Sequence, residues 1–526
     1  MRRMAVSNGR VLQMRNNSFE ILAEAGKVQL NKRELLAGAG AAAALAMMPR
    51  ISRAASETWD LIVIGGGSAG LPCAIFAAQQ GARVLVVERA HRLGGTLDRS
   101  SGQIAAAGTR LQAELEIEDS PEAHFDDIMR ISKGKVDADL VRVFVNDAAR
   151  TLDWLGQHGF TPLDGHPVKY GGHEPYLTRR YQWAEKAGVA ILQILLPQFL
   201  DLARQGSIEF LIRTDAQELI QDDSGAVTGV MVRDATGRKM DLLGRKVALT
   251  SGGCAGNPEM FKDLHGAPLY ASLAYPYNLG GGLEMGVAAG GTLRGAELFQ
   301  TFFGMVLNDF NVPSTPAPVS VNTTPQSRLP WEVYVNTAGQ RFVREDHPSV
   351  DAREHSLLGQ EGHRYWIVFD QAIMDAAPPL VRGWDRDHLD LAFDKYHFFS
   401  RGESLAELAY WAGIDGEGLA ASVQRYNAGQ AGGRDSDFGR EHMPMTVGKP
   451  PYYAIRMQGT QILSFAGLNV NTNLEVLNGN GDPIPNLYAA GEVLGAGALT
   501  GFGITNGMLL TPALVFGRMI GERVFA

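Results

Sequence analysis

Trp59 to Glu88 reads WDLIVIGGGSAGLPCAIFAAQQGARVLVVE, and it decides the fold because strand, glycine turn, helix, second strand and terminal acid follow one another without a gap. Leu61 to Ile64 is an apolar, β-branched run suited to a parallel strand buried on both faces. Gly65, Gly67 and Gly70 take the three glycine positions of G-x-G-x-x-G. The first allows a tight turn and the second lets backbone approach a pyrophosphate. The third lets the helix from about Leu71 to Gln80 pack on the strand with its first amides facing the phosphates. Gly81 ends that helix, Arg83 to Val87 forms the next buried strand, and Glu88 at its end accepts hydrogen bonds from a ribose hydroxyl. A bare glycine pattern arises often by chance, whereas this full context points to a bound dinucleotide rather than a phosphate-free βαβ unit.

A chain of 526 residues exceeds what one hydrophobic core serves, so two lobes are expected. Hydrophobic residues at 45% and charged residues at 20% are those of a globular protein, and 62 glycines suit one in which backbone approaches a ligand in several places. A net charge of −9 with no long basic runs gives no footprint for nucleic acid. Cys73 and Cys254 are the only cysteines and have neither metal-ligand spacing nor a disulfide framework; no metal is expected.

Residues 1–56 stand apart. Asn31-Lys32-Arg33-Glu34-Leu35-Leu36 precedes an Ala/Gly-rich apolar stretch to about Met48, then Pro49 and the small residues of Ser52-Arg53-Ala54-Ala55, an outline of a cleavable signal. The apolar part is too short to span a bilayer comfortably. Its pattern resembles a twin-arginine signal with Lys32 in place of one arginine, which predicts export to the periplasm of a folded, cofactor-loaded protein. The alternative is a disordered extension on a cytoplasmic protein. No membrane span is expected in the mature chain.

From Glu218 to Gly253 the sequence predicts three short strands joined by turns at Asp222–Gly225 and Asp234–Gly237, closing in a buried strand and the Gly252-Gly253 turn. Such a meander accompanies flavin-binding Rossmann domains and shifts the reading from NAD to FAD. Between about Gly295 and Met445 the parallel-strand character gives way to an aromatic, charge-mixed pattern, read as an inserted second domain. After Lys449 to Tyr453 the first character returns, with Leu487 to Glu492 as a buried strand entering a glycine turn. The expected fold class is therefore α/β, a Rossmann-like FAD-binding domain split in sequence (57–294 and 446–526) around an inserted α+β capping domain (295–445). Gly495 to Gly507 is a second glycine-rich loop leading into a helix from about Met508 to Val524. A loop of this kind lets backbone approach a flat ring, and the helix N-terminus offers free N–H groups and partial positive charge to an anionic reduced flavin.

With both ends of the cofactor site placed, the chain resembles the FAD-dependent fumarate reductase and succinate dehydrogenase flavoproteins, including urocanate reductases and 3-ketosteroid 1-dehydrogenases. The resemblance runs from about Trp59 to the end. It rests on VIGGGSAG with VVE, on Gly94-Gly95-Thr96 to Gly102, on Ala248 to Gly253, on NTAGQRFVRED at Asn336 to Asp346, on PPYYAI at Pro450 to Ile455 and on IPNLYAAGEV at Ile484 to Val493. It implies a mobile cap over the substrate. It also assigns to FAD the residues Gly65, Gly67, Ser68, Ala69, Gly70, Glu88, Arg89, Gly95, Thr96, Ser101, Gly102, Ala216, Gly252, Gly491, Glu492, Thr505, Asn506, Gly507 and Met508. Where covalently flavinylated members carry a histidine this chain has Ser100-Ser101, so non-covalent FAD is expected.

The resemblance further implies hydride exchange between flavin N5 and a carbon next to an electron-withdrawing carbonyl or carboxylate, as an enoate or enone reductase or the reverse dehydrogenase. The H-G-x-N-R-x-G-G pattern that holds a dicarboxylate is replaced here by Leu499 to Gly507, which speaks against fumarate or succinate. Thr511 to Gly517 is closer to the ketosteroid branch, yet Leu499 stands about where that branch has a tyrosine. Arg353 is the nearest match to the family's proton-delivering arginine, offset by a few residues, with Arg344 and Glu345 close by. Arg180, beside Arg179, is the candidate to bind a carboxylate or polarise a carbonyl, and Tyr181, with His173 and Tyr176, is a candidate acid. No C-x-x-C-H haem motif is present, so electrons are expected to come from, or go to, a separate carrier. The rivals are a ketosteroid-type dehydrogenase, an NAD-linked dehydrogenase, and a flavin-binding protein whose chemistry has been altered.

Overall fold

The computed structural model describes residues 58–381 and 383–525. The expected export signal lies outside the described residues. The larger lobe is built on a six-stranded sheet whose spatial order is Glu475–Leu477, Pro483–Ala489, Val247–Leu249, Leu61–Ile64, Val84–Val87 and Ile208–Leu211. All neighbours are parallel except the first pair. The strands at its centre, Val247–Leu249, Leu61–Ile64 and Val84–Val87, are buried along their whole length, as their unbroken apolar runs require. Each fully buried Val, Leu or Ile there is worth about 1.5–3 kcal/mol. The predicted meander forms from Asp215–Gln221, Val227–Arg233 and Lys239–Gly244. Its two turns are drawn alike: Asp222 Oδ1 accepts from the Ser224 and Ala226 N–H groups, and Asp234 Oδ1 from those of Thr236 and Arg238.

Two helices fix the cofactor turn. Gly70–Gln79 follows the first strand, and the C-terminal helix Leu510–Glu522 lies across it. A Cβ at Gly70 would fall 1.8 Å from the Gly65 carbonyl oxygen, so only glycine fits. Gly517 and Gly521 play the same part on the other helix, where an added Cβ would come within 2.1 Å of the Ala69 oxygen and 2.4 Å of the Cys73 oxygen. The C-terminal glycine loop is thereby tied, by backbone packing, to a turn more than four hundred residues earlier in the chain.

The smaller lobe is an antiparallel sheet with its own core. Its long central strand is Tyr452–Thr460, which pairs with Arg364–Asp370, Phe302–Met305 and Phe399–Gly402, while Val333–Val335 extends the far side. The sequence places Tyr452–Thr460 in the returning flavin lobe, but its pairing is entirely with cap strands, so the cap sheet continues to Thr460. The strand is buried at nearly every position, so it resembles the apolar strands of the larger sheet. The RFVRED segment is structural: Arg341 donates to both oxygens of Glu345 and of Asp435, and Arg344 pairs with Asp346.

Candidate active site between the two lobes

A cleft at the C-terminal ends of the parallel strands gathers most of the residues assigned to the cofactor: Gly65, Gly67, Ser68, Ala69, Glu88, Arg89, Gly95, Thr96, Ala216, Gly252, Gly491 and Glu492. A Cβ on Gly67 would meet nothing nearer than the Gly95 Cα at 3.7 Å, so the second glycine opens onto the groove rather than onto packed protein. Ser251 Oγ on the same wall is buried without a partner. A groove walled by glycine backbone and carrying a spare hydroxyl fits a dinucleotide. Glu88 stands at its expected place, accepting from the Gly66 N–H at 2.8 Å and the Ala90 N–H at 2.7 Å, and burial raises its pKa. Glu492 is half-buried at the cleft wall, and desolvation pushes its carboxyl up to about 7 although Asn278 Nδ2 donates to it at 2.8 Å.

The remaining assigned residues lie elsewhere. Gly70 sits behind the cleft, in the helix–strand contact. Gly102 backs onto Ala187 and Gly188, where an added Cβ would fall 2.3 Å from the Ala187 carbonyl carbon, and its N–H donates to Ser100 Oγ at 3.0 Å; Ser101 is beside it. Thr505, Asn506, Gly507 and Met508 are packed against protein: Gly507 against Ala105, Asn506 Nδ2 donating to the Glu174 carbonyl at 3.0 Å, and Met508 in the main core. Thr505 Oγ1 is buried with no partner.

The C-terminal loop also meets the cap. Ile504 N–H donates to Asp351 Oδ1 at 2.8 Å, and His355 Nε2 donates to the Phe502 carbonyl at 2.6 Å while its ring stacks on Phe502. Both partners of the loop, the acceptor Asp351 and the donor His355, come from one cap helix, Val350–Leu358. Beside this seam lies a second cavity, lined by Gly172 and His173 of the flavin lobe and by Phe303, Asn322, Thr323, Arg353 and Glu354 of the cap. Arg353 is 1% exposed, donates from Nη1 to the Thr323 carbonyl at 2.6 Å, lies over the Phe303 ring and leaves Nε unpartnered. Burial lowers its pKa, in keeping with a guanidinium that has no bidentate carboxylate of its own. Glu354 accepts from the Phe303 N–H at 3.0 Å through one oxygen, while the other is unpartnered. His173 Nδ1 is 3.3 Å from Asp351 Oδ1.

Of the expected chemical residues, Arg353 and His173 line this cavity together. Arg180 does not: its guanidinium is spent on Asp119 at 2.9 and 2.7 Å and on Asp127 at 2.6 Å, so all three nitrogens are held by carboxylates of the chain. A pair this deep resists release, since breaking a buried ion pair costs about 3–5 kcal/mol. Tyr181 packs against Trp183 and Tyr176 in a separate aromatic cluster, with its ring filling the place where Gly171 has no side chain. Tyr176 donates its hydroxyl to the Asn506 carbonyl. The sequence reading missed Asp351 and Glu354, although Asp-x-x-Glu flanking Arg353 puts both acids on one helical face. It also missed Ser251, Asn278 and Gly282 of the first cleft.

A family model described as an FAD binding domain matches residues 60–504. The chain is 29% identical over 476 residues to a fumarate reductase (cytochrome) of Shewanella frigidimarina, covering 90% of this chain and 78% of that one. It is 27% identical over 482 residues to a urocanate reductase of Eggerthella lenta, covering 91% and 76%. Among solved structures, the open conformation of a flavocytochrome c3 fumarate reductase superposes with a TM-score of 0.69 at 26% identity, covering 90% of this chain and 79% of that one.

Proposed function

The chain belongs to the FAD binding domain family and is an FAD-dependent oxidoreductase of the fumarate reductase/succinate dehydrogenase flavoprotein superfamily; from that premise we propose that it reacts at a carbon–carbon bond conjugated to a carbonyl or carboxylate, in the cavity where Arg353 meets His173. When bound, FAD supplies hydride exchange at its N5. The chain does the rest. Gly65, Gly67 and Glu88 hold the adenosine end, and Glu492 and Asn278 lie farther along the same cleft. Arg353 offers a buried, under-paired cation to the oxygen of the electron-withdrawing group, where enclosure by Phe303 strengthens it. The seam between the cap helix and the C-terminal loop excludes water from that contact.

The observation that carries this reading is the under-paired Arg353 in a cavity walled by both lobes. Its test is anaerobic photoreduction of the yellow holoprotein followed by a panel of enoates, enones and saturated cyclic ketones. Reoxidation by a conjugated acceptor, with the saturated product formed, supports it; indifference to every acceptor leaves a flavin-binding protein without this chemistry. Three further parts belong to the proposal. FAD is held non-covalently, supported by Ser100-Ser101 at the flavin loop, and acid precipitation should release the yellow colour. Export through a twin-arginine route is supported by the Lys32-Arg33 pattern, and mature periplasmic protein should begin near Ala55 or Ser56. Electrons pass through a separate carrier, supported by the lack of a haem-attachment motif in the sequence.

A further inference from the structure

On the cap sheet, Arg364 and Trp366 lie two apart on the strand Arg364–Asp370, and their register partners on Tyr452–Thr460 are Gln458 and Arg456. The four side chains therefore share one face of the sheet. Elsewhere in the cap, guanidinium groups that leave the surface are matched by the chain itself: Arg341 by Glu345 and Asp435, Arg328 by Glu332, and Arg440 by backbone carbonyls. Arg456 has no such match. Among the described residues its half-buried side chain makes no ion pair and no hydrogen bond, and its Nε is enclosed without an acceptor. The guanidinium instead lies 4.8 Å from the centre of the Phe398 ring and 5.5 Å from that of Phe310. Ring faces attract the charge but supply no lone pair to its N–H groups. Burial, and then the like charge of Arg364, lower its pKa to about 10. Arg364 is itself held only at one edge, by the exposed Glu361 at 3.1 Å, and its Nε is likewise without an acceptor. Trp366, 3% exposed, adds a third enclosed donor, Nε1, with nothing to receive its proton.

We propose that this face of the cap is an anion site that takes a small oxyanion, phosphoryl or carboxylate, between Arg364 and Arg456, with the Trp366 indole N–H as a further donor. Two like charges brought together repel, and enclosed donors left unmade cost stability, so an anion placed between them relieves both. Each guanidinium plane presents paired N–H groups spaced for two oxygens. Phe310, 66% exposed beside Arg456, offers a ring face to any flat group that carries the anion. The site is separate from the cavity at Arg353. Tyr365, between Arg364 and Trp366 in the chain, points to the opposite face, where it packs on Phe303 of that cavity. Anion binding here therefore stands or falls without regard to where the flavin chemistry takes place.

Calorimetric titration of the holoprotein with inorganic phosphate, at constant ionic strength so that general screening is equal in every sample, tests the site. Saturable binding is expected in wild type and in Arg353→Ala, and binding weaker by about tenfold or more in Arg456→Met, where charge-assisted hydrogen bonds are lost. Arg364→Met, at the open edge of the patch, should weaken it in the same direction, and it keeps the test open if Arg456→Met does not fold. Benzoate titrated in the same way distinguishes a carboxylate on a flat ring from a phosphoryl group; binding of either probe, lost in the two methionine variants, supports the site. The bound probe should also raise the thermal unfolding midpoint of wild type and not that of Arg456→Met. No saturable binding of either probe to wild type, equal binding in wild type and both methionine variants, or binding lost in Arg353→Ala and kept in Arg456→Met overturns the proposal.

Discussion

Glu354 shows how a single enclosed carboxyl makes stability depend on pH. Its carboxyl is raised from the ordinary glutamate range to about 7, so between about 4.5 and 7 the folded protein binds a proton that the unfolded chain has released. The contribution of this group is thus complete below about 4.5 and is lost as pH rises through 7. Wild type should lose ground to Glu354→Gln over that window by at most about 3.5 kcal/mol, at about 1.4 kcal/mol per tenfold change in proton affinity. Denaturation of both proteins at pH 5 and pH 8 checks it; a constant difference between them contradicts it. Arg180 carries the opposite lesson. Its sequence neighbourhood suggested an anion binder, but Asp119 and Asp127, some sixty and fifty residues away, engage all three of its nitrogens. No local pattern announces such a partner, because the pairing is made by tertiary approach of the segments.

At the scale of elements, the glycine spacing proved legible wherever backbone meets backbone. The first βαβ unit, the meander and its paired Asp turns, and the strand before Gly491 all follow from apolar runs and turn chemistry. The two helices crossing at Gly517 yield a prediction: Gly517→Ala drives a methyl into the Ala69 carbonyl and should cost about 1–3 kcal/mol, with faster loss of FAD on dialysis. Unchanged retention would show that the helix can shift without moving the cofactor turn. In the cap, Arg341 joins the turn before Glu345 to Asp435 across the lobe. Arg341→Ala strands two buried carboxylates and should destabilise the cap by about 3–5 kcal/mol while leaving flavin content near wild type, as denaturation followed by both tryptophan and flavin signals would reveal. Tyr452–Thr460 was misplaced because a strand buried on both faces reads alike in either lobe.

Taken whole, the molecule carries a glycine-walled cleft at the strand ends and a second cavity at the seam with the cap. Many residues expected at the cofactor line one cleft because they cluster around glycine turns, whereas the cavity proposed for the chemistry is assembled from a loop at Gly172–His173 and a cap helix nearly two hundred residues later. Only Arg353 and His173 could be picked out in advance, one by its place after RFVRED and one among several candidate acids. The cap helix that carries Arg353 also receives the C-terminal loop at Asp351 and His355, which ties the position of Arg353 to that loop. The most direct test is single-turnover reoxidation of photoreduced wild type and Arg353→Ala by the best conjugated acceptor, followed at the flavin absorbance. The account predicts an unchanged flavin spectrum and content with reoxidation slower by about 10²-fold or more in the variant. Equal rates in the two proteins would contradict it and move the chemistry away from the cavity between the lobes.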